Sequence, residues 1–292
     1  MMGSDNIGTV QGEFSEMKIT GRAVLRLSRL VLLSLLLALL AGTVSRAAEP
    51  LTLRVLSYNI HHGEGIDGKL DLPRIAGVIT AVKPDLVALQ EVDRHTQRSK
   101  KLDQPAMLAK LTGMKILFER NIAFQGGDYG NAILSRFPVK THRNHKLPNH
   151  DQGEQRGALE AEILLPDGHG SLLLWVTHLD HRPDPTERLA SARALEKIVR
   201  AKGETVGLLA GDLNSQLSGQ VLPIFLRSWT NSNGLKPQAT VPVKEPKRQI
   251  DFVLYRPQQR WRVKSVKVLE EQIASDHRAI LSVLELLPTA SR

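Results

Sequence analysis

Two short stretches of this chain carry side chains suited to chemistry on a phosphate ester: Gly211-Asp212-Leu213-Asn214 and Ser275-Asp276-His277. Together they offer two carboxylates, a carboxamide and an imidazole. Four more polar residues, Asn59, Glu91, His178 and Asp251, stand in the same way at the edges of apolar runs. A charge beside a buried strand needs a cation or a hydrogen-bond partner. A hard divalent cation such as Mg²⁺ takes oxygen ligands, keeps several waters and usually needs only one or two protein carboxylates. Glu91 is therefore the first choice for a direct ligand. The side-chain carbonyl of Asn59 is suited to completing the shell, and Asp276 joins them as a third candidate. Each residue also has an ordinary reading: a strand-end ion pair for Glu91, a turn-forming Asn for Asn59, and a D-x-N turn after glycine for Asp212 and Asn214.

The other members suggest the rest of a hydrolytic site. Asp212 is placed to orient or deprotonate an attacking water, and Asn214 to donate to a phosphoryl oxygen. An imidazole near a transferring phosphoryl group serves as acid, base or charge stabiliser, and a neighbouring carboxylate fixes its tautomer and favours the imidazolium. Asp251, opening the apolar run Phe252-Val253-Leu254, is the candidate orienter of His277. His178 closes an apolar run at 172–177 and suits contact with a phosphate oxygen or protonation of a leaving group. His61, His62 and His181 read as loop residues, because no flanking ligand spacing supports zinc.

These residues must be held by strand ends. Leu51, Leu53 and Val55 alternate with polar neighbours up to Tyr58-Asn59-Ile60, which is strand periodicity. A helix follows, with Asp71 as its cap, Pro73 in its first turn and Leu72, Ile75, Val78, Ile79 and Val82 as its stripe, stopped by Lys83-Pro84. The short apolar run 86–89 reads as a buried strand ending at Gln90-Glu91. Further strands are expected at 131–135, 158–165 and 171–177, the last two joined as a hairpin by Pro166-Asp167-Gly168-His169-Gly170. Asp184-Pro185-Thr186-Glu187 reads as cap, first-turn proline and capping-box acid of a second helix. Strands return at 206–210, 250–255, 261–269 and 279–286. Antiparallel neighbours place the end of one strand beside the start of the next, so all six edge residues can share one rim.

At the N-terminus, Lys18, Arg22, Arg26 and Arg29 precede an uncharged, leucine-rich stretch at 30–44, with small Ala47 and Ala48 beyond it. This is the layout of a secretory signal. The stretch falls short of the roughly 18 or more residues of a spanning helix, so export with cleavage is expected, the alternative being an uncleaved membrane anchor. Asp5, Glu13 and Glu16 do not fit a signal's basic start, and Met17 is the expected initiator. Residues 1–48 are thus read as extension and signal, and 49–292 as a single domain. The chain has no cysteine, which leaves oxygen and imidazole as its metal ligands. A net charge of +9 suits phosphorylated or polyanionic partners and equally suits plain solubility. Aromatic residues are 4%, with no exposed cluster of the kind a lipid-inserting hydrolase or a base-stacking platform needs.

In order along the chain, Y-N-I at Tyr58, Q-E-V at Gln90, G-N-A-I-L-S at Gly130, T-H-L at Thr177, G-D-L-N at Gly211, I-D-F at Ile250 and S-D-H at Ser275 resemble the endonuclease/exonuclease/phosphatase superfamily. The resemblance implies an α/β four-layer sandwich, two mostly antiparallel sheets face to face with helices outside, and Mg²⁺- or Mn²⁺-dependent cleavage of phosphoester bonds. It implies Asn59 and Glu91 at the metal, His178 and His277 at the phosphate, Asp212 and Asn214 beside the water, and an Asp251 to His277 pair. The base is assigned to Asp212 rather than His277. Asn131 is implied in substrate binding, and Arg156 is suited to offsetting phosphate charge. The expected activity is that of an exported phosphodiester or phosphomonoester hydrolase. Its substrate is a phosphorylated small molecule, a lipid headgroup or a nucleic acid, and it acts as a monomer without an obligate protein partner. An extracellular nuclease is the alternative within the class, and a non-catalytic binding protein on the same scaffold the alternative outside it. Substrate choice is expected in the loops 94–101, 125–129 and 142–156.

Overall fold

The computed structural model describes residues 49–150 and 153–288, so the expected signal segment lies outside the described residues. Two six-stranded sheets form the body. The first contains β1 (Leu51–Asn59), β2 (Leu86–Arg94), β3 (Lys115–Phe124), β4 (Gly127–Ser135), β11 (Trp261–Val268) and β12 (Ile280–Leu286), in the order β11-β12-β1-β2-β4-β3. The second contains β5 (Val139–Lys146), β6 (Gly157–Leu164), β7 (Ser171–His178), β8 (Gly207–Asp212), β9 (Thr230–Asn231) and β10 (Asp251–Arg256), in the order β5-β6-β7-β8-β10-β9. Each sheet has one parallel pair at its centre, β1 with β2 and β7 with β8, and antiparallel pairs on either side.

Both parallel pairs are βαβ units, because parallel neighbours need a crossover rather than a hairpin. Between β1 and β2 runs α1 (Leu72–Ala81), where Asp71 accepts from the Arg74 amide at 2.9 Å and Pro73 occupies the first turn, as the sequence predicts. Between β7 and β8 runs α3 (Thr186–Arg200), whose Asp184 accepts from both the amide and the hydroxyl of Thr186. Glu187 does not close a capping box. Its carboxylate instead accepts from the amide of His150 and pins the loop before β6. A short helix, α2 (Gln104–Thr112), capped by Asp103 and ended by left-handed Gly113, packs near α1, and α4 (Leu222–Phe225) lies near α3.

Three apolar clusters define four layers. Leu53, Val55, Leu86 and Ala88 of the first sheet meet Leu174, Val176, Leu208 and Ala210 of the second, so the sheets pack face to face. The outer face of the first sheet, with Leu56, Val87 and Leu89, packs on Ile75 and Ile79 of α1 and Leu108 of α2. The outer face of the second, with Trp175, Leu209 and Leu254, packs on Leu195 and Val199 of α3 and Phe225 of α4. The expected four-layer α/β sandwich is the observed one.

Some expectations are corrected. The strand at 86–89 does not stop at Glu91 but continues to Arg94. The expected loop 125–129 is mostly strand, with only the turn joining β3 to β4 outside it, and 142–146 belongs to the edge strand β5. The elements β3, β5 and β9 carry no clear sequence signal, and α2 is not among the expected elements although Asp103, Pro105 and Gly113 mark its ends. β5 is half-buried to exposed throughout, and a polar edge strand has no apolar face to alternate.

Candidate active site

The parallel pairs decide where the polar residues meet. In a parallel pair both strands end at the same edge, and the register sets Asn59 opposite Gln90 and His178 opposite Asp212. β10 runs against β8, so its first residue, Asp251, lies opposite Asp212, the last residue of β8. His277 sits in the loop that enters β12, the antiparallel neighbour of β1. All six edge residues therefore gather at one end of the sandwich, where they border or underlie a cavity of about 410 Å³.

Backbone irregularities aim two of them. Between Leu89 and Val92 the register of β2 on β4 slips, so Gln90 and Glu91 together oppose Asn131. Glu91 adopts φ 59° in this bulge, a left-handed conformation uncommon for a glutamate. The bulge carries its carboxylate to the cavity wall. On β8, a Cβ added to Gly211 would lie 1.9 Å from the carbonyl oxygen of Thr177, so only glycine permits β7 and β8 to approach this closely just before Asp212.

Asn59 joins the sheets. Its amide donates to Glu91 Oε1 at 2.9 Å and to Asp212 Oδ2 at 3.2 Å, while its oxygen accepts from the His61 amide at 3.0 Å. That oxygen thus accepts one hydrogen bond, and the side-chain amide is a donor that positions two carboxylates. Ser275 Oγ donates to the Asn59 carbonyl at 2.7 Å and ties the 275–277 loop to the end of β1.

His277 Nδ1 and Asp251 Oδ2 lie 2.9 Å apart, and the same oxygen accepts from Thr240 Oγ1 at 2.6 Å. His277 Nε2 faces Asp212 Oδ2 at 3.7 Å, and His178 Nε2 faces that oxygen at 3.5 Å. Burial opposes a charge on His277, but the Asp251 and Asp212 carboxylates outweigh it and push the imidazole up to about 10, so it is an imidazolium at neutral pH. Burial and the Asp251 charge push Asp212 up to about 7, against the pull of His277, the Asn214 amide and Asn59. Burial, reinforced by Arg156, His277 and His181, holds His178 well below the usual histidine range, so it is neutral.

Asn214 lines the cavity, but its side-chain amide donates to the Leu179 carbonyl at 3.0 Å and its backbone amide to Asp212 Oδ1 at 2.8 Å. It orders the turn around Asp212 and has one amide hydrogen left for a ligand. Asn131 is not among the lining residues. Its amide donates to the Gly157 carbonyl at 3.2 Å, a link between the sheets. Arg156 does line the cavity and is almost fully buried, with Nη1 2.9 Å from Glu154 Oε1 and Nη2 3.2 Å from His181 Nδ1. Asp276 is exposed at the rim.

The tightest acidic and histidine grouping among the described residues is Asp212, Asp251 and His277, with ligating atoms within 4.8 Å of one another. Within it, His277 is hydrogen-bonded to Asp251 and faces Asp212 across an ion-pair distance of 3.7 Å. Glu91 by contrast has no ion-pair partner among the described residues, only the Asn59 amide. The wall also contains residues that the sequence reading leaves unassigned: His61, His181, Glu154, Arg98, Ile122, Phe124 and Tyr129. The only signal for Arg98 is its spacing from Asp93 in the basic segment 94–101.

Comparison with known proteins places this arrangement. The profile of the Endonuclease/Exonuclease/phosphatase family matches residues 56–277. The protein YbhP of Escherichia coli K12 is 27% identical over 220 residues, covering 70% of this chain and 85% of that protein. The crystal structure of an endonuclease/exonuclease/phosphatase from Beutenbergia cavernae is 26% identical with a TM-score of 0.67, covering 82% of this chain and 74% of that one. The mannosyl-6-phosphatase Bt3783 of Bacteroides thetaiotaomicron shares the fold at 18% identity and a TM-score of 0.67, covering 80% of this chain and 99% of that one.

Proposed function

The chain belongs to the endonuclease/exonuclease/phosphatase family, and from that premise we propose that it is a divalent-metal-dependent hydrolase of phosphate esters, acting by in-line attack of water. The observation that carries this reading is the convergence, around one cavity, of an Asp251-oriented imidazolium, a carboxylate raised toward neutrality and a glutamate without a cation. The donor set fits a hard cation. Glu91 and Asp276 would hold Mg²⁺ or Mn²⁺, and Asn59 would fix the Glu91 carboxylate. Burial first, and then the Asp251 charge, raise Asp212, so its ionised form is short of compensation in this setting. When bound, the cation supplies Lewis-acid polarisation of a phosphoryl oxygen and acidifies bound water.

The chain's own residues do the rest. Asp212, at about 7, is matched to accepting the proton of the attacking water near neutral pH. His277, held charged by Asp251, stabilises negative charge on the phosphoryl oxygens. Neutral His178 adds a donor without adding charge, and Arg156 offsets the phosphate. Losing one such electrostatic contact typically costs about 2.7–4 kcal/mol of barrier.

The deciding experiment assays mono-aryl and bis-aryl phosphates, plasmid DNA and sphingomyelin with Mg²⁺, Mn²⁺ and EDTA. Metal-dependent release of phosphate or alcohol from an ester is the expected result. No turnover with any metal would favour a binding protein on this scaffold, and salt-sensitive cleavage of DNA alone would favour a nuclease.

A further inference from the structure

The proposed chemistry leaves one cationic residue of the cavity wall unused. Arg98, on the loop after β2, lines the cavity, and its guanidinium is held in place. Nε and Nη2 donate at 2.8 and 2.9 Å to Oδ2 and Oδ1 of Asp93, whose side chain has no exposure and also accepts from Thr96 Oγ1 at 2.6 Å. The guanidinium carbon lies 4.7 Å from the ring centre of Phe124 and 5.2 Å from that of Tyr129. Both rings come from the β3–β4 hairpin and line the cavity with it. No hydrogen bond engages Nη1.

Arg256 uses its fork on the carbonyls of Val199 and Gly203. Arg98 is clamped by a buried carboxylate and two rings, and what sets it apart is its place in the wall of a cavity. Such pre-organisation means that little side-chain entropy is lost when an anion binds. The lining mixes both signs: Glu91, Glu154, Asp212 and Asp276 share the wall with Arg98, Arg156 and His181. Arg156 is paired with Glu154, whereas Arg98 turns its pairing edge to Asp93 outside the lining. A phosphate reacting beside Asp212 and His277 leaves Arg98 to whatever else the substrate carries. The volume suits a small molecule.

We propose that Arg98, backed by Phe124 and Tyr129, forms an anion subsite that selects small phosphate esters carrying a second phosphate group. The proposal rests on the reading of the Asp212–His277 centre as a phosphoester hydrolase. It assigns Arg98 to recognition of the part of the substrate that does not react.

The test compares a hexose bisphosphate, the corresponding hexose monophosphate and a short oligodeoxynucleotide with Mg²⁺. It uses the wild type, Arg98→Gln, and the double variant Asp93→Asn/Arg98→Gln, in which no buried carboxylate is left without its cation. A charge-assisted contact is worth enough to change KM by about 10-fold or more. The wild type should show a KM about 10-fold or more lower for the bisphosphate than for the monophosphate. That ratio should fall to within about twofold in both variants. Absence of the preference in the wild type, or its survival in both variants, overturns the proposal. Cleavage of the oligonucleotide with the same Arg98 dependence, and no preference for the bisphosphate, also overturns it. Calorimetry of hexose bisphosphate binding to Asp212→Asn, with and without Arg98→Gln, reads the subsite without turnover. Binding about 10-fold weaker in the second protein is expected, and equal binding contradicts the subsite. Failure of every ester to react would refute the hydrolase reading, while the calorimetry still decides the subsite.

Discussion

At the scale of single residues, the account turns on who holds whom. His277 owes its charge to its neighbours: burial alone would strip the proton, and Asp251 and Asp212 keep it there up to about pH 10. Asp251 is thus a positioning and charge-setting residue, touching the imidazole rather than the substrate. Asp251→Asn should leave KM within a few-fold and lower kcat by about 100-fold or more. With that carboxylate gone, burial wins, the folded-state pKa of His277 falls, and the alkaline limb of the pH–rate profile moves to lower pH. Steady-state kinetics across pH checks both effects, and an unmoved alkaline limb would mean that Asp251 does not set the charge on His277. Of these relations, the sequence reading expects the Asp251 to His277 pair, which lies at 2.9 Å. The Asn59 bridge to Glu91 and Asp212 is not legible there, because it joins residues on two sheets through a side-chain orientation set by the His61 amide.

At the scale of elements, the site is made by strand ends and two local irregularities. Gly211 lets β8 lie against the Thr177 carbonyl one residue before Asp212. Gly211→Ala should therefore cost about 1–3 kcal/mol or more, because a Cβ there meets backbone that cannot turn aside. It should also lower turnover by displacing Asp212 from His178. Chemical denaturation alongside ester hydrolysis tests this, and a variant of wild-type stability would show that the strands can part cheaply. Strands with an apolar face, such as β1, β7, β8 and β10, were readable from periodicity, and so were the caps Asp71 and Asp184. The bulge at Glu91 was not, since a two-against-one pairing depends on β4 and leaves no mark in β2 itself. β3 and β5 were hidden because edge strands with little buried surface carry little apolar pattern. The aromatic and arginine wall was read only as the segments 94–101 and 125–129, since nothing in the sequence brings Arg98 against the rings of Phe124 and Tyr129.

At the scale of the whole molecule, two face-to-face sheets bring the ends of both parallel pairs to one edge. Asn59 and Asn131 of the first sheet thereby gain partners on the second, Asp212 and Gly157. The order of the seven motifs was legible because five of them mark strand ends or the approach to a strand and two lie within β2 and β4. Outside the described domain, we propose that residues 18–48 direct export and are removed. Among the described residues no helix is long and apolar enough to cross a membrane. N-terminal sequencing of protein recovered from an exporting host should find a mature chain beginning near Glu49, and an intact residue 18 would contradict cleavage. The central claim is hydrolysis by a carboxylate-held cation working with Asp212 and His277. It is tested most directly by phosphate release from an aryl phosphate by the EDTA-stripped protein during Mg²⁺ titration, compared with folded Asp212→Asn and His277→Ala. The account predicts saturable activation of the wild type by Mg²⁺ and a loss of about 100-fold or more in each variant. Metal-independent turnover, or wild-type rates in either variant, would contradict it.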